Sequence, residues 1–254
     1  MSKNLRFGWV ADLPDHRDHL YAAPARVVAK LPTKVDLRPK CPPVFDQGDL
    51  GSCTANAISN AHRFDQMKQN KPNPFAPSRL FIYYNERAME HTINSDAGAQ
   101  IRDGIKSIAK QGVCPEAQWP YDITKFAKKP PAAAFTAALK NQALSYRRLT
   151  PIASQLKGCL AEGFPFVFGI TVYESFESDK VAKTGKVPMP AAKEKCLGGH
   201  AILAVGYDDS TQCLTVMNSW GPKWGDKGFF YLPYAYATDP NLASDFWTVQ
   251  IIEA

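Results

Sequence analysis

The chain has 254 residues, of which 45% are hydrophobic and 21% charged, and a formal net charge of +6. This composition supports a folded protein with a sizeable core, in one large domain or two small ones, and excludes a disordered or low-complexity chain. The basic residues are scattered, with only short pairs such as Lys128-Lys129 and Arg147-Arg148, and the most apolar run, 164–172, is strand length, so neither a nucleic-acid partner nor a membrane span is expected.

Residues 1–30 have a character of their own. Met1 to Trp9 lacks an apolar signal core, which predicts a cytoplasmic protein or one released by a non-classical route. A charged run, Asp12-Leu13-Pro14-Asp15-His16-Arg17-Asp18-His19, leads into the spacer Ala22-Ala23-Pro24-Ala25-Arg26. His16 and His19 have no further ligand set beside them and read as a solvated face, so no metal is expected. Residues 53–69 follow a glycine-punctuated loop and carry an apolar stripe at Ala57, Ala61 and Phe64, which predicts a helix. His62 on this helix reads as a satisfied or surface residue. Ser78 is placed to cap a second helix over 79–89, with His91 beyond its end. Gly98 and Ala99 precede a third helix, with Ile101, Ile105 and Ile108 on one face and a stop at Gly112. Residues 126–134, with Lys128-Lys129-Pro130-Pro131, read as a loop between halves.

From about residue 141 the pattern changes. Strands are predicted over 143–149, 164–172, the stretch around His200, 214–218, 229–232 and 246–252, with one short helix at 152–160 and a polar excursion over 173–196. Helices first and strands second define an α+β chain with segregated halves. The boundaries are 1–30 for the N-terminal extension, 31–140 for a mainly helical domain and 141–254 for a mainly β domain. The six cysteines are spread out with no C-x-x-C pair, and free thiols in a reducing compartment are expected.

Two stretches carry chemistry. In Gln47-Gly48-Asp49-Leu50-Gly51-Ser52-Cys53-Thr54-Ala55-Asn56 a cysteine opens a helix, where unpaired N–H groups and the helix dipole favour a thiolate. The Gln47 amide could donate to an oxygen developing beside the sulfur. Far downstream, Gly198-Gly199-His200-Ala201 opens a buried strand, and the next strand ends in Asn218-Ser219-Trp220-Gly221. His200 could take the thiol proton, and Asn218 could orient the imidazole. Each residue alone has a structural explanation: a buried thiol, a core histidine, a turn asparagine, a surface amide. Their joint order outweighs it.

At these residues the chain resembles the papain-like cysteine peptidases, and among them the bacterial members with a short prosegment. The match begins near Leu31-Pro32-Thr33-Lys34-Val35-Asp36 and runs to the end. The separation of Cys53 from His200 falls within a downstream range of about 130–150 residues that is a known property of that family. The resemblance implies a papain-like fold, with a helical left domain and an antiparallel β-barrel-like right domain and the active site in the cleft between them. It implies no cofactor, and a peptide or protein substrate cut through an acyl-thioester. Cys53, His200, Asn218 and Gln47 would be catalytic. Gly98, Ala99, Ile101, Gly199, Trp220 and Ser244 would line the substrate site, with Trp220 shielding the His200–Asn218 bond. Ser244 would floor a pocket for a bulky apolar side chain two before the cut.

Two departures from the family pattern stand out. Its upstream cysteine and the aromatic after the nucleophile are replaced by Leu50 and Thr54, and the partner position of the usual bridge carries Asp96. Residues 1–30 resemble a short inhibitory prosegment, expected to pack on the body and cross the cleft; an ordinary extension is the alternative. A Cys–His–Asn acyltransferase or deamidase, and a catalytically silent peptide-binding protein, are the other readings of the site.

Overall fold

The computed structural model describes residues 7–252. In chain order its strands and helices are β1 (Trp9–Val10), α1 (Ala25–Val28), β2 (Lys34–Asp36), α2 (Cys53–Lys68), α3 (Arg79–Met89), β3 (Ala99–Gln100), α4 (Ile101–Lys110), α5 (Ala132–Ala138) and β4 (Ala143–Arg148). There follow α6 (Ala153–Ala161), β5 (Phe166–Tyr173), α7 (Asp179–Thr184), β6 (Cys196–Asp208), β7 (Cys213–Met217), β8 (Phe229–Pro233), α8 (Tyr234–Ala237) and β9 (Ala243–Ile252).

The second half of the chain builds an antiparallel sheet in the order β4-β9-β5-β6-β7-β8, and β2 adds to β6. The sheet half thus recruits residues 34–36 from ahead of α2. Its core is aromatic: Phe168 stacks on Phe246 at 4.9 Å with an interplanar angle of 10°. Continuous apolar runs such as that of β5 produce strands buried on both faces.

Helix α2 lies between the two halves, packed on β6 and β9 and against α3 and α4. It is buried almost all round, so its polar residues need internal partners. His62 accordingly contacts the Asn141 carbonyl at 3.2 Å and the Gln66 amide at 2.9 Å, and burial pushes its pKa down to about 4. His62 is a satisfied core residue. Ser78 caps α3 as its position predicts, accepting from the Phe81 N–H at 3.1 Å.

Two segments differ from the sequence expectation. Residues 132–138, half inside the predicted loop, are helical: an alanine-rich run follows Pro131 at the N-cap, where proline gives up no helical bond. The polar excursion after β5 holds α7, capped by Ser178 and ended by Gly185 in the left-handed region.

Candidate active site

Cys53 is the first residue of α2, and the loop before it is held from several sides. The Tyr121 hydroxyl bridges the Gln47 carbonyl at 2.9 Å and Ser52 Oγ at 2.5 Å. Asn56 Nδ2 donates to the Ser52 carbonyl at 2.9 Å. The Gln47 side chain is fixed at both ends: its amide nitrogen donates to the Leu50 carbonyl at 2.9 Å, and its oxygen accepts from Ser219 Oγ at 2.6 Å. Ser219 thereby ties the nucleophile loop to the strand end that carries Asn218.

His200 comes from β6 and meets Asn218 at the end of β7, with Nε2 2.8 Å from Asn218 Oδ1. Asn218 Oδ1 also accepts from the Ser219 N–H at 2.8 Å, so its carbonyl oxygen faces the ring. This arrangement fixes the proton of neutral His200 on Nε2, and Nδ1 has no hydrogen-bond partner. Trp220 stacks on the imidazole at 4.8 Å. Phe176 and Trp224 pack behind Trp220. The sulfur of Cys53 accepts from the backbone N–H of Ala201, the neighbour of His200, at 3.4 Å. The structure therefore brings Cys53, His200, Asn218 and Gln47 into one buried site.

The N-terminal segment occupies the groove over this site. β1 pairs in parallel with β3, Trp9 opposite Ala99 and Val10 opposite Gln100. The Ala99 N–H donates to the Gly8 carbonyl at 2.8 Å, and the Gly8 N–H faces the Cys53 sulfur. Only glycine fits at position 8, because a Cβ there would lie 1.8 Å from the Gly51 carbonyl oxygen. Phe7 sets its ring edge-on to His200, with centroids 6.2 Å apart. Cys53 and His200 are both fully buried under this cover. Burial pushes the Cys53 thiol up to about 11 and His200 down to about 4, so the neutral pair is favoured.

Further along, the segment is clasped by charge. Asp12 accepts from the Arg102 N–H at 3.0 Å and Trp247 Nε1 at 2.9 Å, while its own N–H donates to Asp245 at 2.8 Å. Asp18 pairs with Arg102 at 2.6 Å and Arg148 at 2.9 Å. His16 and His19 are exposed.

The remaining predicted substrate-site residues are placed as follows. Gly98 donates its N–H to Tyr83 Oη at 3.2 Å, and Gly199 lies against the Trp9 carbonyl. Ile101 is fully buried at the start of α4. Ser244 pairs with Gly169 across the sheet, and the side chain that reaches the Trp9 ring is that of its neighbour Asp245.

Sequence reasoning missed what replaces the family's bridge. The Asp96 carboxylate accepts from the Gly51 N–H at 3.0 and 3.2 Å and from the Tyr83 hydroxyl at 2.5 Å. A hydrogen-bonded tie joins the nucleophile loop to the strand wall at the positions where the family pattern has a disulfide that this sequence lacks. All six cysteines are free thiols. Thr54 likewise has a partner that the sequence did not reveal: its hydroxyl donates to the buried Glu86 carboxyl at 2.8 Å. The signal for Glu86 was an acid in the middle of an apolar helix face.

Residues 31–247 match the family described as papain family cysteine protease. The chain belongs to that family, and it is a cysteine peptidase, a hydrolase. It is 46% identical to the uncharacterized peptidase C1-like protein L477 of Acanthamoeba polyphaga mimivirus, over 96% of this chain and 86% of that one. Its structure is similar to that of xylellain, a cysteine protease from Xylella fastidiosa, with a TM-score of 0.92, 41% identity and coverage of 98% of this chain and 97% of the other. A cathepsin B-like protein, CP3 of Giardia intestinalis, is 28% identical over 78% of this chain and 68% of its own length.

Proposed function

We propose that the protein is an endopeptidase that is held inactive by its own N-terminal segment. Once the segment leaves, water and substrate reach the buried pair, and the desolvation that favours neutral Cys53 and His200 is relieved. His200 Nδ1 then takes the thiol proton, giving a thiolate at the mouth of α2 and an imidazolium oriented by Asn218. The sulfur attacks the substrate carbonyl. The Cys53 N–H and the second N–H of the Gln47 amide stabilise the oxyanion; losing one such donor typically lowers turnover by about 10²–10³. His200 protonates the leaving amine and then activates water to release the acyl group. Asn218 cannot take the proton, so its role is orientation.

The observation that carries the inhibition is the direction of the Gly8 peptide. A substrate must present a carbonyl carbon to the sulfur. Gly8 presents an N–H, and its carbonyl oxygen is held by Ala99. The segment fills the groove without offering a bond to cut at Gly8. The test is to treat the full chain, before and after removal of residues 1–30 by limited proteolysis, with an epoxysuccinyl inhibitor and map the adduct by mass. The reading expects an adduct on Cys53 that forms faster after removal and is absent in Cys53→Ala. An adduct elsewhere, or none in either form, would reject it.

A further inference from the structure

The Trp9 side chain occupies a pocket shaped for it. A Cβ on Gly169 would lie 2.0 Å from Trp9 Cε2, and one on Gly199 would lie 2.7 Å from Cε3. The absence of both side chains makes room for a two-ring system lying across β5 and β6. At the end of this space stands Asp245, only 3% exposed and held at a φ of 59°, in the left-handed region that few residues tolerate. Its Oδ2 accepts from the indole Nε1 of Trp9 at 3.2 Å and from the Asp12 N–H at 2.8 Å. Its Oδ1 faces Arg148 at 3.3 Å. Both donors to Oδ2 belong to the N-terminal segment.

When the segment leaves, the pocket and its acceptor remain. An apolar side chain would fill the space and leave a buried carboxylate oxygen without its donor, which a site built around a hydrogen bond disfavours. A cationic side chain meets a different obstacle. Departure of the segment also removes Asp12 and Asp18, which leaves Arg148 paired with the Asp245 carboxylate and a cationic side chain competing with it. A neutral ring with one N–H at its rim satisfies both the space and the charge.

From this we infer that Asp245 is a specificity-determining residue, and that the enzyme selects substrates with tryptophan at the position that pairs with Ala99, Trp9 being the internal stand-in. The inference rests on the peptidase reading above and deepens it.

The experiment uses the full chain carrying Gly8→Val and Trp9→Ala, which clears the cleft. It is offered one peptide series with tryptophan, leucine, arginine or 3-benzothienylalanine at that position; the last has the tryptophan shape without the N–H. The inference expects kcat/KM for the tryptophan peptide to exceed each of the other three by tenfold or more. It also expects Asp245→Ala to erase the gap between tryptophan and its sulfur analogue. Equal rates for that pair in the unmutated pocket, or a lead for leucine or arginine, would overturn it, whether or not Asp245→Ala folds. Adding Cys53→Ala and measuring peptide Kd separates the two levels of argument. A retained tryptophan preference in binding with no cleavage by the parent would remove the peptidase reading and support this inference.

Discussion

The backbone N–H of Gly8 faces the sulfur of Cys53, while the Gly8 carbonyl accepts from the Ala99 N–H at 2.8 Å. That one relationship links the N-terminal segment to the chemistry. Burial under the segment raises the thiol to about 11, against the lowering effect of the Ala201 and Gly8 N–H groups.

Thiol reactivity follows directly. With the thiol far above neutral pH, the full chain should react slowly with iodoacetamide at pH 7.5. Gly8→Val drives a side chain into the Gly51 carbonyl, expels the segment and should raise the Cys53 labelling rate by about a hundredfold or more, through greater access and a larger thiolate fraction. Mass-resolved labelling kinetics check this, with Cys41 and Cys213 as internal references.

Docking of the segment should depend on pH with an unusual sign. Burial, and next the nearby Asp245 carboxylate, raise Asp12 to about 6, against the lowering effects of the Arg102 and Trp247 contacts; Glu90 is a further acid facing it. A carboxyl with a raised pKa in the docked state holds its proton there while the free segment has lost it. Docking is therefore strongest below about pH 4 and weakens as pH rises through about 6. Hydrogen exchange at the Ala99 N–H, corrected for intrinsic rates, should show more protection at pH 5 than at pH 7.5, and Asp12→Asn should flatten the difference.

The Asp96 tie should matter to catalysis. Asp96→Ala in the Gly8→Val background removes a charge-assisted acceptor from the Gly51 N–H and should lower kcat/KM about tenfold, in line with about 1.5 kcal/mol for such a bond. Asp96→Asn keeps one acceptor oxygen and should recover part of the loss. Steady-state kinetics on both variants decide it.

Glu86 offers a stability test. It is fully buried, one oxygen lacks a partner, and burial pushes its pKa well up. An acid raised in the fold loses stability as pH rises above its unfolded value, so Glu86→Gln should stabilise the protein at pH 8 relative to pH 5. Thr54→Val removes the one hydroxyl that Glu86 accepts from and should destabilise by about 1–3 kcal/mol. Denaturant unfolding at the two pH values reads both effects.

What the sequence revealed was what short stretches carry. Cys53 and Gln47 share one loop, His200 and Asn218 sit on adjacent strands, and α3 starts and ends where its cap and periodicity place it. The clasp was illegible because its partners are remote: Trp9 and Asp245 are 236 positions apart, and strands of two residues such as β1 and β3 have no period to read. In the N-terminal run the histidines drew attention, while the aspartates beside them make the buried contacts. Asp96 was read as the lack of a cysteine, since an acceptor for the Gly51 N–H is defined only by the fold. The side chain that faces the indole lies one position beyond Ser244: the irregular pairing of β5 with β9 between Val167 and Gly169 leaves Ser244 on the sheet and turns Asp245 to the indole.

The central claim is that the N-terminal segment, seated through Gly8, masks a competent Cys53–His200 pair. The most direct measurement compares kcat/KM on a fluorogenic peptide for the full chain, for Gly8→Val, and for Gly8→Val with Cys53→Ala. The account predicts low activity in the first, a rise of about two orders of magnitude in the second, and none in the third. Full activity in the unaltered chain, or activity that survives loss of the Cys53 sulfur, would contradict it.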